Sequence, residues 1–395
     1  MSPAAEVVIA GSGVAASATA IRLLRLGIGA RLIVRHGDGP AGIEALPQRA
    51  LRLLEVLGEP RLLARAGGVE VAGPTHGMVH VERRSLAAAF LEHAMAEGAM
   101  VEQVRRLPPL AEVASSAVAV VDATGRAAAW SRPLILDGHS VAWQLEGPAE
   151  PDLALRVVQA EGWWAYRLGM PATTWAGVVV DAGVADARTT EAGLRRLGLD
   201  PASMTPRGRR AARVQRALHP VSGRRIAVGD AALAQDPIAG GGIRFALASA
   251  VAAATVVATW VGGGGDLAAT YYNQLVAGEH SRHLEARRAN HALSPGTEGS
   301  EAEPVPDILQ FCAPVLAAPL VIDGTVQRGE AIKLPDGSMT RWLGSFDLFV
   351  LARLSAEPIP RIVLLAQLQN EGLDRHDAQA VLSWSMRHGL LSKYF

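Results

Sequence analysis

The chain has 395 residues, 49% hydrophobic and 19% charged, which excludes a disordered or fibrous polymer and fits a globular protein of two or three domains. Lys plus Arg equals Asp plus Glu at 38 each, so no bulk electrostatic drive points toward nucleic acid or an anionic membrane. The single cysteine, Cys312, excludes an internal disulfide and a cysteine metal cluster, and a cytoplasmic location is expected. Met1 to Glu6 lack the basic n-region of a leader and run directly into a strand-like stretch, Val7-Val8-Ile9-Ala10.

That strand is followed by Gly11-Ser12-Gly13-Val14-Ala15-Ala16 and then by an Ala/Leu-rich helix through Leu26. Strand, glycine turn and helix is the context a dinucleotide fingerprint requires. Gly11 permits the tight turn, Gly13 lets backbone approach a pyrophosphate, and Ala16 stands where helix and strand pack closely. The unpaired amides at the helix start then face the phosphates. The second strand, Ala30 to Val34, should end in an acid that holds the ribose hydroxyls, but Arg35 occupies the position. Either Asp38 or Glu44 takes over that role, or Arg35 itself meets the adenosine portion or a phosphate. An arginine here also admits a 2′-phosphate and hence NADP.

Candidate proton-handling groups are Glu44, His76 in Pro74-Thr75-His76-Gly77, and His219 just before Pro220. From Leu134 to Asp181, alternating Val- and Trp-rich stretches read as an antiparallel sheet. Within it, Gly162-Trp163-Trp164-Ala165-Tyr166-Arg167 supplies large aromatics that could line a pocket for a planar substrate or simply pack the sheet. The strand Ile226-Ala227-Val228 leads into Gly229-Asp230-Ala231-Ala232 and then Asp236-Pro237-Ile238-Ala239-Gly240-Gly241-Gly242-Ile243. The apolar run Phe245 to Val261 is expected to be a buried helix, since a membrane span needs about 20 predominantly apolar residues. Arg244 opens it, placed to meet a substrate carboxylate or the cofactor. His280, His283 and His291 lie on an Arg/Glu-rich helix with no convincing metal spacing, and no metal is expected.

Asn290 to Pro306 carries Ser, Pro, Gly and Glu without apolar periodicity and reads as a linker. Beyond it come a hairpin-like piece from Val321 to Leu334 and helices near Phe346–Leu354, Arg361–Gln369 and Asp374–His388, a winged-helix-like order. Its mixed charge argues against DNA binding, leaving a docking site for a peptide or protein, or a structural cap.

Taken together, these motifs resemble the flavoprotein superfamily of aromatic hydroxylases, geranylgeranyl reductases and flavin-dependent tryptophan halogenases. The match covers about the first 290 residues and rests on the Gly11 turn, Glu44-Ala45-Leu46-Pro47 with Arg49, Val81-Glu82-Arg83-Arg84-Ser85-Leu86 with Phe90, Ala94 and Gly98, Asp122-Ala123-Thr124-Gly125, and the Gly229–Ile243 segment. The wording around Pro237, with Ala246, Leu247 and Ser249, is most similar to the reductase and halogenase branch. The resemblance implies an α/β protein: a glutathione-reductase-like FAD-binding Rossmann domain (1–133 and 210–290), an antiparallel β substrate domain (134–209), a linker (291–306) and a small C-terminal winged-helix-like module (307–395).

FAD is then the implied cofactor, held by Gly11, Gly13, Ala16, Arg35, Arg49, Arg83, Asp230, Pro237, Gly240, Gly242 and Ile243. Asp230 would bond the ribityl chain, and the helix start beyond it would favour the negative charge of reduced flavin. Trp163, Trp164, Tyr166 and Arg244 would line the substrate pocket. The halogenases of the superfamily use a relay lysine, but no lysine precedes Lys333. The resemblance therefore implies a monooxygenase working through a C4a-hydroperoxyflavin, with NAD(P)H or a separate flavin reductase as electron source. Its substrate is an aromatic small molecule or a tryptophan within a peptide or protein, as in the quinone-cofactor maturation branch. A reductase of isolated double bonds and a lysine-independent halogenase are the alternatives.

Overall fold

The run Val7-Val8-Ile9-Ala10 is apolar on both faces, as a central parallel strand must be, and it forms β1 (Glu6–Ala10) within a six-stranded sheet. The computed structural model describes residues 6–37, 41–57, 59, 61–71, 77–138, 140–181, 187–236, 241–292, 308–344 and 346–393; His76, Pro237, Gly240 and Asp38 lie outside the described residues. In chain order β1 is followed by α1 (Val14–Arg25), β2 (Gly29–Arg35), β3 (Ile43–Leu46), α2 (Gln48–Val56), α3 (Leu62–Arg65), β4 (Val69–Val71), β5 (Met78–Glu82) and α4 (Arg83–Ala96). Then come β6 (Met100–Val104), α5 (Leu110–Ala114), β7 (Ala119–Asp122), β8 (Leu134–Asp137), β9 (Ser140–Gly147), β10 (Arg156–Ala160), β11 (Trp163–Met170), β12 (Thr173–Asp181) and α6 (Ala187–Arg196). The first unit closes with β13 (Thr205–Ala211), β14 (Val214–Ala217), β15 (Val221–Ser222), β16 (Arg225–Ala227), β17 (Leu233–Ala234) and α7 (Gly242–Val261).

Strands β16, β7, β1, β2 and β6 pair in parallel, and β15 adds antiparallel at one edge. Val8, Ala10, Ile33, Val113, Val120 and Trp130 pack on one face, leaving the other to α1. Helix α7 packs along α1, and its buried residues include Phe245, Leu247, Val256 and Val257. Each such burial contributes about 1.5–3 kcal/mol. By length and composition α7 could cross a membrane, but 67% of its apolar window is buried inside the protein, as a core helix requires. A five-stranded antiparallel sheet has the order β10-β11-β12-β9-β13, and a smaller one the order β3-β5-β4.

Contacts divide the chain after Gly263, into Met1–Gly263 and Gly264–Phe395. The boundary falls ahead of the linker expected at 291–306. Helix α8 (Asp266–Ala292) therefore groups with the C-terminal unit, although its position before the linker had suggested the N-terminal domain; its contacts are with the hairpin of that unit. The hairpin is β18's successor: β18 (Ile308–Phe311) precedes β19 (Val315–Ile322) and β20 (Thr325–Lys333), which meet at Asp323-Gly324, both at positive φ as a tight hairpin turn demands. After β21 (Met339–Thr340), β22 (Trp342–Leu343) and β23 (Phe346–Asp347) come α9 (Leu348–Leu354), β24 (Ile359–Pro360), α10 (Arg361–Asn370), α11 (Arg375–Arg387) and β25 (Leu391–Lys393). Strands β24, β18 and β25 form a small three-stranded sheet in the same unit as these helices. Leu309, Leu348, Leu351, Leu364, Leu368 and Leu382 form its core.

Candidate functional site

Two glycine turns more than two hundred residues apart in sequence meet at the start of α1. At the first, Gly11 has φ +133°, and a Cβ there would lie 2.3 Å from the Ala123 carbonyl oxygen, so only glycine fits between β1 and the end of β7. Gly13 caps α1 with extended backbone and no side-chain bond, and a Cβ on it would meet nothing within 4 Å. The space beside Gly13 at the start of α1 is thus open. Ala16 is fully buried behind them.

At the second turn, Gly229 has φ +56° and its missing Cβ would lie 2.8 Å from the Ala15 Cβ. Its amide donates to Ser249 Oγ at 2.9 Å, and Ser249 in turn donates to the Ala246 carbonyl at 3.1 Å, tying the turn to α7. Asp122, fully buried at the end of β7, accepts from Thr124 Oγ1 (2.6 Å) and from the Trp130 amide (2.8 Å); this explains the Asp-Ala-Thr-Gly run as a turn anchor. The following Arg126 reaches back across the site, donating to the carbonyls of Arg213 (2.7 Å) and Gln235 (2.9 Å), with its Nε 3.9 Å from Asp230.

Asp230 lies at the centre of a charge network. Its side chain is 42% exposed. Desolvation pushes its carboxyl up, against the pull of Arg126 and Arg83. Arg83, the first residue of α4, is ion-paired with Glu44 on β3; that carboxylate raises the guanidinium's pKa. The pairing of β3 with β5 sets this geometry, because Glu44 lies opposite Val81, two residues before Arg83. Arg210, at the edge strand β13, has its pKa lowered by desolvation and then by the charge of Arg83, against the opposing pull of Tyr166 and Glu44.

The antiparallel sheet closes one side of the network. Alternation along β11 sends Trp164, Tyr166 and Leu168 to one face and Trp163 and Ala165 to the other. Trp164 is buried against Ala142, Val179 and Ala212, and its ring stands 5.5 Å from that of Tyr166. Tyr166 is half-buried, and burial, with Glu44 second, raises its phenol pKa. Trp163 instead packs with Ala165, Val178 and Leu194 beneath α6, with the Arg196 guanidinium 5.4 Å from its ring. The structure therefore sends Trp163 to the face of the sheet opposite Tyr166.

Arg35 is exposed at the end of β2 and Arg49 is exposed on the first turn of α2. Gly242 and Ile243 open α7, with Arg244 half-buried beside them. His219 is exposed, its carbonyl accepting from Arg225 at 2.9 Å; among the described residues no hydrogen bond links its ring to the network. Pro237, Gly240 and His76 fall outside the described residues. Sequence reading missed Arg126, Arg210 and Gln144; only Arg126 carried a signal, directly after a recognised motif.

A separate group, Glu59, His93 and Glu97, presents ligand atoms within 4.8 Å of one another, but Arg25 already occupies it, donating to Glu97 at 2.7 Å and to Glu59. Hydrogen bonding to Glu97 raises the Arg25 pKa, so a fixed cation takes the place a metal would need.

No protein-family model and no curated protein matches the sequence. Solved structures do. The peptidyl tryptophan dihydroxylase QhpG, essential for tryptophylquinone cofactor biogenesis, superposes with a TM-score of 0.66 at 22% identity, covering 98% of this chain and 100% of that one. The flavin-dependent halogenase CmlS gives a TM-score of 0.69 at 16% identity over 100% of this chain and 96% of that one. The flavin-dependent brominase Bmp2 gives 0.58 at 19% identity, covering 71% of this chain and 86% of its own. The chain shares the fold of these flavin-dependent enzymes.

Proposed function

We propose that the chain is an FAD-dependent monooxygenase that hydroxylates an electron-rich, tryptophan-like ring carried on a peptide or protein. The observation that carries the reading is the seating of the Gly229-Asp230 turn on the start of α1, beside the aromatic face of the antiparallel sheet. The residues fit the cofactor. The uncapped start of α1 after Gly13 suits a diphosphate, and Gly11 and Gly229 permit the tight turns there because a Cβ at either would meet Ala123 or Ala15. Asp230 is a carboxylate held at a cost in desolvation, which a hydroxyl-rich ribityl chain would offset by hydrogen bonding.

When bound, FAD supplies the reduced flavin that activates dioxygen, a reaction outside side-chain chemistry. The protein's own groups hold and shield the reactants. Arg83 and Arg126 would hold positive charge near a cofactor's polar groups, in the network with Glu44 and Asp230. Glu44 is committed to Arg83, which makes it a positioning partner for that guanidinium rather than a free base. Tyr166, backed by the buried Trp164, would present an apolar face to a flat ring. Likeness along nearly the whole of QhpG, including its C-terminal part, supports a substrate borne by a peptide or protein.

Electrons come from NAD(P)H, directly or through a separate flavin reductase; anaerobic bleaching of the bound flavin by NAD(P)H alone distinguishes the two. The folds of CmlS and Bmp2 favour one second reading, halogenation, but the first lysine of this chain is Lys333, in the C-terminal unit. The test is turnover of a tryptophan-containing peptide with reduced cofactor, dioxygen and bromide together. Oxygen gained by the peptide supports hydroxylation, bromine gained supports the second reading, and an untouched peptide with hydrogen peroxide released contradicts both.

A further inference from the structure

Tyr166, Gly177, Gln144 and Gly208 form one row across four neighbouring strands, β11, β12, β9 and β13. Side chains directly opposite in such a row share a face of the sheet. Gly177 has no side chain to raise there, and the tyrosine ring fills the space: a Cβ on Gly177 would lie 2.1 Å from Tyr166 Cε1, 2.3 Å from Cζ and 2.6 Å from Oη. The ring thus lies flat across β12 with its hydroxyl carried to β9, where it is hydrogen-bonded to Gln144. On the same face Trp164 and Trp175 are almost wholly buried, whereas Tyr166 keeps part of its surface open and lies within electrostatic reach of Glu44, Arg83 and Arg210.

From this arrangement, and resting on the function proposed above, we infer that the flat face of Tyr166 is the stacking floor for the substrate's indole ring, and that Gly177 is the positioning residue that sets its depth and tilt. Offset stacking of two aromatic rings favours parallel faces, so the floor discriminates for planar bicyclic rings and against alkyl chains. An upright tyrosine, which any side chain at position 177 would force, fills the volume that the flat ring leaves free. Gln144 supplies the second constraint, since it ties the hydroxyl down and keeps it from the reacting ring.

Tyrosine lying on a glycine also covers backbone, a purely structural use of the pair, and the test separates the two. The probe is N-acetyl-tryptophanamide, measured by equilibrium dialysis against the oxidised, FAD-loaded full chain, with FAD affinity and melting temperature recorded for each variant. Tyr166→Leu is expected to weaken the probe about tenfold and Tyr166→Phe about threefold or less, because the phenyl ring still stacks. Gly177→Ala is expected to match Tyr166→Leu, with FAD affinity altered less than about twofold. Gly193→Ala, against Val178 on the opposite face of the sheet, serves as the control for general packing damage and should leave the probe's affinity unchanged. Should Gly177→Ala fail to fold, Gln144→Leu frees the same ring and is expected to fall between the Phe and Leu variants. Undiminished binding in Tyr166→Leu overturns the floor alone, as does parallel loss of FAD and probe in Gly177→Ala. Absence of binding by the unaltered protein removes the tryptophan reading, and the floor with it.

Discussion

Asp230 is a carboxylate whose surroundings oppose its charge, and that opposition is measurable in stability. Its pKa in the folded protein lies above the ordinary 3.8, so the folded state binds more protons than the unfolded chain between those two values. Stability linked to Asp230 is therefore largest below the unfolded value and declines as pH rises through the folded one. Asp230→Asn should raise the melting temperature at neutral pH by about 2 °C, an advantage that shrinks toward pH 4, while weakening FAD about tenfold. Thermal melts across pH, with and without cofactor, check both halves. Glu44→Gln acts in the opposite sense: it leaves the Arg83 guanidinium beside Arg126 and Arg210 without its carboxylate, and should cost about 1 kcal/mol in denaturant unfolding. At this scale the glycines were legible, because Gly11 and Gly229 are demanded by local backbone geometry that short motifs encode. Arg126 could be read only as the residue after the Asp-Ala-Thr-Gly run, and Arg210 not at all, since their partners Gln235 and Ala41 lie far away in sequence.

Between elements, the junction of the small sheet with the large one rests on His80. It is fully buried on β5, its Nδ1 lies 2.9 Å from the Gly169 carbonyl of β11, and its Nε2 has no partner among the described residues. Desolvation lowers its pKa below 6.5, so the neutral ring is the folded form. The stability it contributes is complete above pH 6.5 and is lost as acid titrates the unfolded chain first and then the folded pKa. The protein should unfold more readily as pH falls from 7 to 5, and His80→Gln, which cannot charge, should flatten that slope in urea titrations. In the C-terminal unit Asp374 caps α11 by accepting from the Asp377 amide at 2.7 Å, and Asp374→Ala should cost about 1 kcal/mol in the same experiment. The elements themselves were largely readable, from the first strand to the three C-terminal helices, because periodicity and turn residues are local signals. Which face a residue joins is not local. Alternation states that Trp163 and Trp164 oppose each other, but only α6 on one side and β3 with β5 on the other decide which of them borders the charge network. The affiliation of α8 was hidden for the same reason, since only its contacts with β19 and β20 assign it.

For the molecule as a whole, equal numbers of acidic and basic residues give a sequence pI of about 7.2, and solubility should pass through a minimum near that pH, rising on either side in low-salt precipitation assays. Near-zero net charge also leaves any substrate preference to local features such as the Asp230 network and the Tyr166 face of the antiparallel sheet. The central claim, oxygen insertion into a tryptophan-like ring, is tested most directly by one measurement. The FAD-loaded protein is reduced without air and mixed with isotopically heavy dioxygen and a tryptophan-containing peptide, and the peptide is analysed by mass spectrometry. Heavy oxygen on the indole ring is the expected result. A peptide of unchanged mass, with the dioxygen recovered as hydrogen peroxide or water, would contradict it.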